Sequence, residues 1–349
     1  MKHLMVSVAT GALVCGLAGT ATFESAKAQD DVTELRWATS STGSSGHRAL
    51  TSLSQLLNSK TDQFDITVMP TPGAAASVRG FAGGQFDGYY GADVAFHEIA
   101  NNGGRYEGFA DQDHEQELVQ SFWAYTLEVG LGVLAEDTDE IQSWQDLDGK
   151  PVFTSPAPWD TRAALERAMR AAGVEHEYVE LDTGLAAQSL EDGTIEGMII
   201  YTAGETSPSP WIQEALLSAD INALNPNEEE MEMLSDAGIE TVEVPNDTFD
   251  TDIGADAAVL VPFFYGFHVG TNVSEQGVYD MLVTIEENVG ELAESDPSFS
   301  QVEADMVEMQ LRGIRAAGET VPIHPGLAKF LREHDAWNED WDGRIASMD

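Results

Sequence analysis

The chain has 349 residues and carries 16 basic against 61 acidic side chains, a formal net charge of −45. A field this negative repels nucleic acid and anionic membrane surfaces, so we expect neither as a partner. Few lysines and many carboxylates suit a protein that stays hydrated in high salt. We therefore expect a halophilic source and a fold that depends on salt.

The first 28 residues have the pattern of a secretory signal. Lys2 gives a basic start, Leu4–Ala18 is an apolar run, and Ala26-Lys27-Ala28 is an A-x-A cleavage site. A transmembrane anchor is the alternative, but the apolar run is too short to span a bilayer comfortably. Cleavage near Ala28 predicts a periplasmic protein. Its mature chain lacks the lone Cys15, which excludes disulfides and cysteine metal sites.

The segment Leu35–Asn58 predicts a strand, a loop and a helix. Its leucines recur at the spacing of one helix face: Leu50, Leu53, Leu56 and Leu57. The loop before this helix holds Gly43, Gly46 and six hydroxyl residues: Thr39, Ser40, Ser41, Thr42, Ser44 and Ser45. Such a loop at a helix N-terminus offers free N–H groups and positive dipole, so it indicates an anion site.

Strands and helices alternate through the following chain. Strands are predicted at Ile66–Met69, Asp87–Gly91 and Val152–Thr154, and helices at Ala74–Phe81 and Thr161–Ala172. The later helix is amphipathic, with an apolar face formed by Ala164, Leu165, Ala168, Met169 and Ala172. Asp160 or Thr161 is expected to cap it, and Gly173 to end it. This alternation predicts an α/β fold.

Three further patterns indicate two lobes. The turn at 85–89 resembles that at 194–198, and each leads into an apolar strand. Two long apolar runs, Ser121–Leu134 and Ala257–Thr271, are candidates for crossings between lobes, with core strands of a single domain as the alternative. The segment Val278–Asp349 is mostly helical and needs a sheet to cover. We predict lobe 1 at 29–124 and 265–349, and lobe 2 at 125–264.

Several segments follow one another in a recognisable order. They are Leu35–Thr39 with Ser41–Ser44, Ala75–Gly84 with Asp87, Asp93-Val94-Ala95, Ile141–Lys150, Leu190–Met198, Pro245 with Val259–Thr271, and Val321–Glu333. In this order and spacing, which span nearly the whole mature chain, the sequence resembles the TAXI group of solute receptors, which serve TRAP transporters.

The resemblance implies a type II periplasmic-binding-protein fold, in which two α/β lobes joined by a hinge close on a ligand. It also implies that the protein captures a small organic anion and delivers it to a TRAP membrane permease. We expect a monomer without a cofactor or catalytic activity. The anion would be a carboxylate, a dicarboxylate or an acidic amino acid. The chain departs from the family at Gly46 and His47, where paired aromatics are usual, and at Asp160 in the loop of the second lobe.

Thirteen residues are our candidates for ligand contact. They are Ser41, Thr42, Gly43, Ser44, Ser45, His47, Gly73, Ala74, Trp159, Thr161, Arg162, Tyr201 and Thr202. Arg162 could grip a carboxylate bidentately or pair with Glu166 four residues on. Tyr201 could wall the ligand or pack in the core. Asp160 could cap its helix or meet a cationic part of the ligand, and Asp93 is expected to cap the third helix.

Other functions remain open on the sequence alone. An ABC-type solute receptor and a periplasmic sensor would share the same fold. An exported hydrolase is a further alternative, because paired acids for glycoside hydrolysis are abundant in so acidic a chain. No G-x-S-x-G, H-E-x-x-H or P-loop motif is present, so we expect no enzyme.

Overall fold

The computed structural model describes residues 32–348. The predicted signal peptide and Cys15 lie outside these residues. Among the described helices, none combines the length and the apolar character needed to cross a membrane.

Eleven strands in the described chain form one mixed sheet. Along its main path the order is β2-β1-β3-β11-β4-β7-β5-β6, and β10, β8 and β9 pair with β11, β7 and β4. The strand bounds are β1 Thr33–Ala38, β2 Phe64–Met69, β3 Gly88–Ala92, β4 Trp123–Leu134, β5 Pro151–Phe153, β6 Glu177–Tyr178, β7 Gly197–Ala203, β8 Ser207–Pro208, β9 Ile221–Leu224, β10 Val242–Pro245 and β11 Ala257–Val269.

Helices cover this sheet. Their bounds are α1 Ser45–Lys60, α2 Ala74–Ala82, α3 Asp93–Ala100, α4 Asp160–Ala171, α5 Ala186–Glu191, α6 Pro210–Ser218, α7 Glu228–Asp236, α8 Glu275–Glu287, α9 Val289–Ser295, α10 Ser300–Ala304, α11 Met306–Ala316 and α12 Pro325–Glu333. The helical C-terminal segment is thus confirmed.

The first α/β half consists of β1–β3 and α1–α3. β1 runs parallel to both β2 and β3. The four predicted leucines of α1 are buried, and burial of each contributes about 1.5–3 kcal/mol. Ser44 caps α1, because its hydroxyl oxygen accepts a hydrogen bond from the His47 amide at 3.2 Å.

The second α/β half consists of β5–β9 and α4–α7. β5 runs parallel to β6 and β7. The apolar face predicted for α4 is buried, and Gly173 follows the helix with φ +79°. Two caps differ from expectation. The N-cap of α4 is Trp159, so Asp160 and Thr161 lie in its first turn, and the N-cap of α3 is Ala92 rather than Asp93.

The strands β4 and β11 join the halves. They pair antiparallel at the centre of the sheet, and β11 also pairs with β3 while β4 pairs with β7. The two long apolar runs are therefore central strands that touch both halves. The α/β class and the type II arrangement predicted from the sequence are confirmed, whereas the lobe boundaries at 124/125 and 264/265 stay predictions.

Candidate functional site

A small cavity lies where the two halves meet at the carboxyl ends of their strands. Its volume is about 20 Å³, room for roughly one water molecule. The first turns of α1, α2 and α4 all contribute to it. The lining residues are Ser40, Ser44, Ser45, Gly46, Ala74, Tyr90, Leu127, Trp159, Thr161, Tyr201 and Tyr265.

The first turn of α1 forms one wall. Ser45 is 2% exposed, and its hydroxyl has no hydrogen-bond partner within the described chain. The amides of the first residues of a helix have no partner inside that helix, so this wall presents donors. Gly46 lets the backbone of α1 approach the Tyr90 ring closely, because a Cβ at this position would lie 2.5 Å from that ring.

Three tyrosines, Tyr90, Tyr201 and Tyr265, form the floor. Tyr90 and Tyr265 stack with ring centroids 4.1 Å apart, and the Tyr90 hydroxyl lies 2.9 Å from that of Tyr125. Burial raises the pKa of Tyr90 and Tyr265 well above the usual range, and that of Tyr201 to about 12. These phenols therefore stay protonated and can act as hydrogen-bond donors.

Two short segments close the cavity from opposite halves. We call 70–75 the first jaw and 155–161 the second jaw. The Trp159 indole N–H donates to the Pro72 carbonyl at 3.0 Å, and the Ala75 amide donates to the Pro158 carbonyl at 3.4 Å. A solute larger than a water molecule can enter only when these contacts separate or the lining rearranges.

A buried ion pair lies beside the cavity. Asp160, in the first turn of α4, is fully buried and pairs with Arg105 of the 3₁₀ turn Gly104–Tyr106. Arg105 also contacts Glu98 at 2.5 Å. Burial and then the Asp160 charge raise the pKa of the Tyr265 phenol. Arg105 thus compensates the charge of the buried Asp160 carboxylate.

Six of the thirteen predicted contact residues come together in this cavity. They are Ser44, Ser45, Ala74, Trp159, Thr161 and Tyr201. Of these, Thr161 lies with its hydroxyl 2.8 Å from that of Ser155, and Tyr201 accepts a hydrogen bond from Trp211.

The other seven predicted residues do not line the cavity: Ser41, Thr42, Gly43, His47, Gly73, Arg162 and Thr202. Thr42 and Gly43 are exposed at the tip of the loop, and Gly73 lies behind Ala74 against Trp159. The Thr202 hydroxyl donates to Glu128 at 2.6 Å, away from the cavity.

Arg162 has partners of its own. Its guanidinium contacts Glu166 at 2.6 Å, which is the alternative pairing considered from the sequence. It also lies over the Tyr178 ring at 3.3 Å from the centroid. Both contacts hold the side chain on the outer side of α4.

Five lining residues were not among the predicted contacts: Ser40, Gly46, Tyr90, Leu127 and Tyr265. Ser40 belongs to the hydroxyl loop already singled out. Tyr90 and Tyr265 lie inside strands, and a tyrosine hydroxyl within an otherwise apolar run is a signal that could have indicated them.

The residues described offer no evident metal site. Across 32–348, no three His, Cys, Asp or Glu side chains are grouped so as to hold a metal ion. The cavity lining consists of hydroxyl, aromatic and small residues, which suit hydrogen bonding to an organic solute.

The sequence model of the NMT1-like family matches residues 37–334. No curated protein is significantly similar in sequence. Among solved structures, the periplasmic aliphatic sulphonate binding protein SsuA from Escherichia coli is 15% identical, with a TM-score of 0.47, and the match covers 90% of this chain and 98% of that one.

Two further structures show similar levels of likeness. The alkanesulfonate-binding protein SsuA from Xanthomonas axonopodis pv. citri, bound to MOPS, is 14% identical over 90% of this chain and 98% of that one, with a TM-score of 0.43. The amino acid ABC transporter substrate-binding protein AbpA from Streptococcus pneumoniae, bound to L-arginine, is 13% identical over 76% and 94%, also with a TM-score of 0.43.

Proposed function

The chain belongs to the NMT1-like family, and from this premise we propose that it is an exported receptor that captures a small organic anion for a membrane permease. One observation carries the proposal. The first turns of three helices from both halves, α1, α2 and α4, meet at one cavity that the two jaws close.

The chemistry of the walls supports an anion as the ligand. Helix N-termini favour negative charge, and the serine and tyrosine hydroxyls can donate hydrogen bonds to carboxylate oxygens. The lining contains no Asp, Glu, Lys or Arg. A carboxylate would therefore be held by hydrogen bonds and helix dipoles rather than by an ion pair.

The jaws support capture by closure. In the closed arrangement the cavity has room for one water molecule, so a solute must bind to a more open form and then exclude water as the jaws approach. Only contacts that differ between open and closed forms can shift that equilibrium. The Trp159–Pro72 hydrogen bond is such a contact.

The partner is proposed from the resemblance to the TAXI group, which implies a TRAP membrane permease. An ABC-type permease is the alternative, because the solved structure of AbpA is described as an ABC transporter substrate-binding protein. A gene for TRAP-type permease subunits beside this one would support the first partner, and genes for an ABC permease would support the second.

A ligand screen tests the proposed function. Purified protein in high salt is heated with a panel of mono- and dicarboxylates, acidic amino acids, neutral sugars and cationic solutes. We expect one or more carboxylates to raise the melting temperature, because a ligand that binds only the native state stabilises it. A shift with a neutral or cationic solute and with no carboxylate would contradict the anion class.

Two variants locate the binding. Ser45→Leu fills the cavity and should abolish the shift. Thr42→Ala changes an exposed hydroxyl of the same loop outside the lining, and should leave it unchanged. Equal shifts in both variants would show that the solute binds elsewhere.

A further inference from the structure

A second concavity lies behind the solute cavity, on the other face of β11. Pro262 and Phe264 line it, whereas Tyr265 lines the solute cavity. Successive residues of a strand point to opposite faces, so β11 separates the two. We call this concavity the rear pocket. Its volume is about 390 Å³, enough for a small organic molecule.

Three arginines line the rear pocket beside two acidic residues, Asp93 and Glu240, although the chain has only 16 basic residues against 61 acidic ones. Arg167 comes from α4, and Arg312 and Arg315 come from α11. Helices from different parts of the chain thus direct three cations to one place. This local excess of positive charge opposes the charge of the whole molecule.

Two of these arginines lack the partners that other cations have. Within residues 32–348, every Lys or Arg except Arg167 and Arg312 forms a salt bridge or donates a side-chain hydrogen bond. The Nε of Arg167 is buried without an acceptor. The guanidinium of Arg312 lies 5.0 Å from the centroid of the Phe264 ring, which supports it without using its N–H groups.

The acidic neighbours do not satisfy these donors. Asp93 is buried and accepts a hydrogen bond from the Phe264 amide at 3.0 Å. Burial raises the pKa of its carboxyl to about 7, although the nearby charge of Arg167 lowers it; the two side chains share no hydrogen bond. Glu240 is exposed. Arg315 alone among the three is paired, with Glu308 at 2.7 Å. Arg312 is exposed and Arg167 is half-buried, so both guanidinium groups are open to an acceptor that enters the pocket from outside the chain.

We propose that the rear pocket binds a small oxyanion with at least two charged oxygens, held between Arg167 and Arg312. Phosphate, sulfate and compact di- or tricarboxylates share this chemistry. A guanidinium presents a planar fork that matches two oxygens of such a group, and charge-assisted hydrogen bonds of this kind are strong. The site is distinct from the solute cavity and shares no lining residue with it.

Inorganic phosphate is the probe for the first test. It is titrated into the full-length protein at constant ionic strength, with chloride as the exchanging ion, and binding is followed by ³¹P line broadening and calorimetry. We expect saturable binding. Sulfate and citrate, titrated in the same way, should compete with it. Absence of saturable binding of all three anions would overturn the proposal.

Charge-matched variants locate the site. Arg167→Gln and Arg312→Gln should each weaken phosphate binding roughly tenfold or more. Arg170→Gln is the control, because it removes the same charge from the same helix at a side chain that is 60% exposed and outside the rear pocket. It should stay within about twofold of the parent, since only long-range charge changes. Equal losses in Arg167→Gln and Arg170→Gln would refute the site.

A fourth variant separates this site from the solute cavity. Ser45→Leu fills the solute cavity and leaves the rear pocket intact, so phosphate binding should persist in it. Loss of phosphate binding in Ser45→Leu would place the anion in the solute cavity and overturn the rear-pocket proposal. Circular dichroism of each variant verifies that the fold is retained.

Discussion

The indole N–H of Trp159 donates to the carbonyl oxygen of Pro72 at 3.0 Å, so a side chain of the second half is tied to the backbone of the first. The same indole lines the solute cavity. Trp159 thus forms part of the cavity wall and also makes the hydrogen bond that joins the two jaws. Substitutions on either side of this contact should alter solute binding without removing core packing.

Trp159→Phe removes the donor and keeps an aromatic wall. A typical hydrogen bond contributes about 0.5–1.5 kcal/mol, so we expect solute affinity to fall roughly three- to tenfold. Small-angle scattering should show a more open average shape. Trp144→Phe is the matched control, because its indole donates to the Leu224 carbonyl at 2.8 Å, a contact that involves neither jaw. It should cost stability and leave the affinity of the folded protein unchanged.

Gly73→Ala tests the first jaw, which contacts Trp159. An added Cβ would lie 2.8 Å from Trp159 Cδ1 and 2.9 Å from the Pro158 carbonyl, both in the second jaw. The φ of Gly73 is 169°, an extended value that alanine also adopts, so the penalty arises only when the jaws meet. We expect solute affinity to fall at least tenfold, measured by calorimetry.

The control for that variant is Gly83→Ala at the other end of α2. Its added Cβ would approach the Arg79 carbonyl at 3.4 Å and nothing in the second jaw. Affinity should be unaffected. Equal affinity in both variants would contradict the role of the jaws in closure.

Neighbouring residues of α4 should separate cavity contact from surface pairing. Thr161→Val removes a hydroxyl from the cavity lining, and we expect a several-fold loss of solute affinity. Arg162→Ala removes a cation that faces Glu166 and Tyr178, and affinity should stay within about twofold. A large loss in Arg162→Ala would show that this side chain leaves Glu166 to contact the solute.

Glu128 of β4 should make stability depend on pH. It is fully buried, and burial raises the pKa of its carboxyl to about 8, although the Thr126 and Thr202 hydroxyls and the Glu205 amide oppose the rise. Between about pH 5 and 8 the folded state holds a proton that the unfolded chain has released. The free energy of unfolding should therefore fall as the pH rises through this interval.

Denaturant unfolding at constant salt, from pH 5 to 9, compares the parent with Glu128→Gln, which cannot titrate. The difference between the two curves should change by at most about 1.4 kcal/mol per pH unit and level off above pH 8. Parallel curves would mean that Glu128 is ionised in the folded protein. The comparison also removes the contribution of Asp93, which is common to both proteins.

The fold could be predicted from local patterns because its elements are periodic. The leucine spacing of α1 and the apolar face of α4 reflect burial on one side of a helix, and both are confirmed. The two predicted caps were wrong because of contacts between residues far apart in the chain. Asp160 and Asp93 have the side chains of good caps, but tertiary partners use them instead: Arg105 pairs with the first and the Phe264 amide donates to the second.

The cavity could be predicted only in part. Hydroxyls at helix N-termini follow from sequence, and this is how Ser44, Ser45 and Thr161 were identified. The stack of Tyr90 on Tyr265 depends on β11 lying beside β3, a pairing between residues far apart in the chain. No local pattern encodes that neighbourhood. Likewise, the unpaired state of Arg167 is a property of the assembled pocket.

The order of the sheet also has a consequence for biosynthesis. β11, which completes the first half beside β3, is made after the whole second half, and α8 and α12, which pack against each other, are made later still. His324 near the far end of the chain hydrogen-bonds through its amide to the Gln120 carbonyl. The first half therefore cannot finish its core until nearly the last residues are available. Because the entropy of closing long loops opposes such non-local contacts until they form, this topology slows folding.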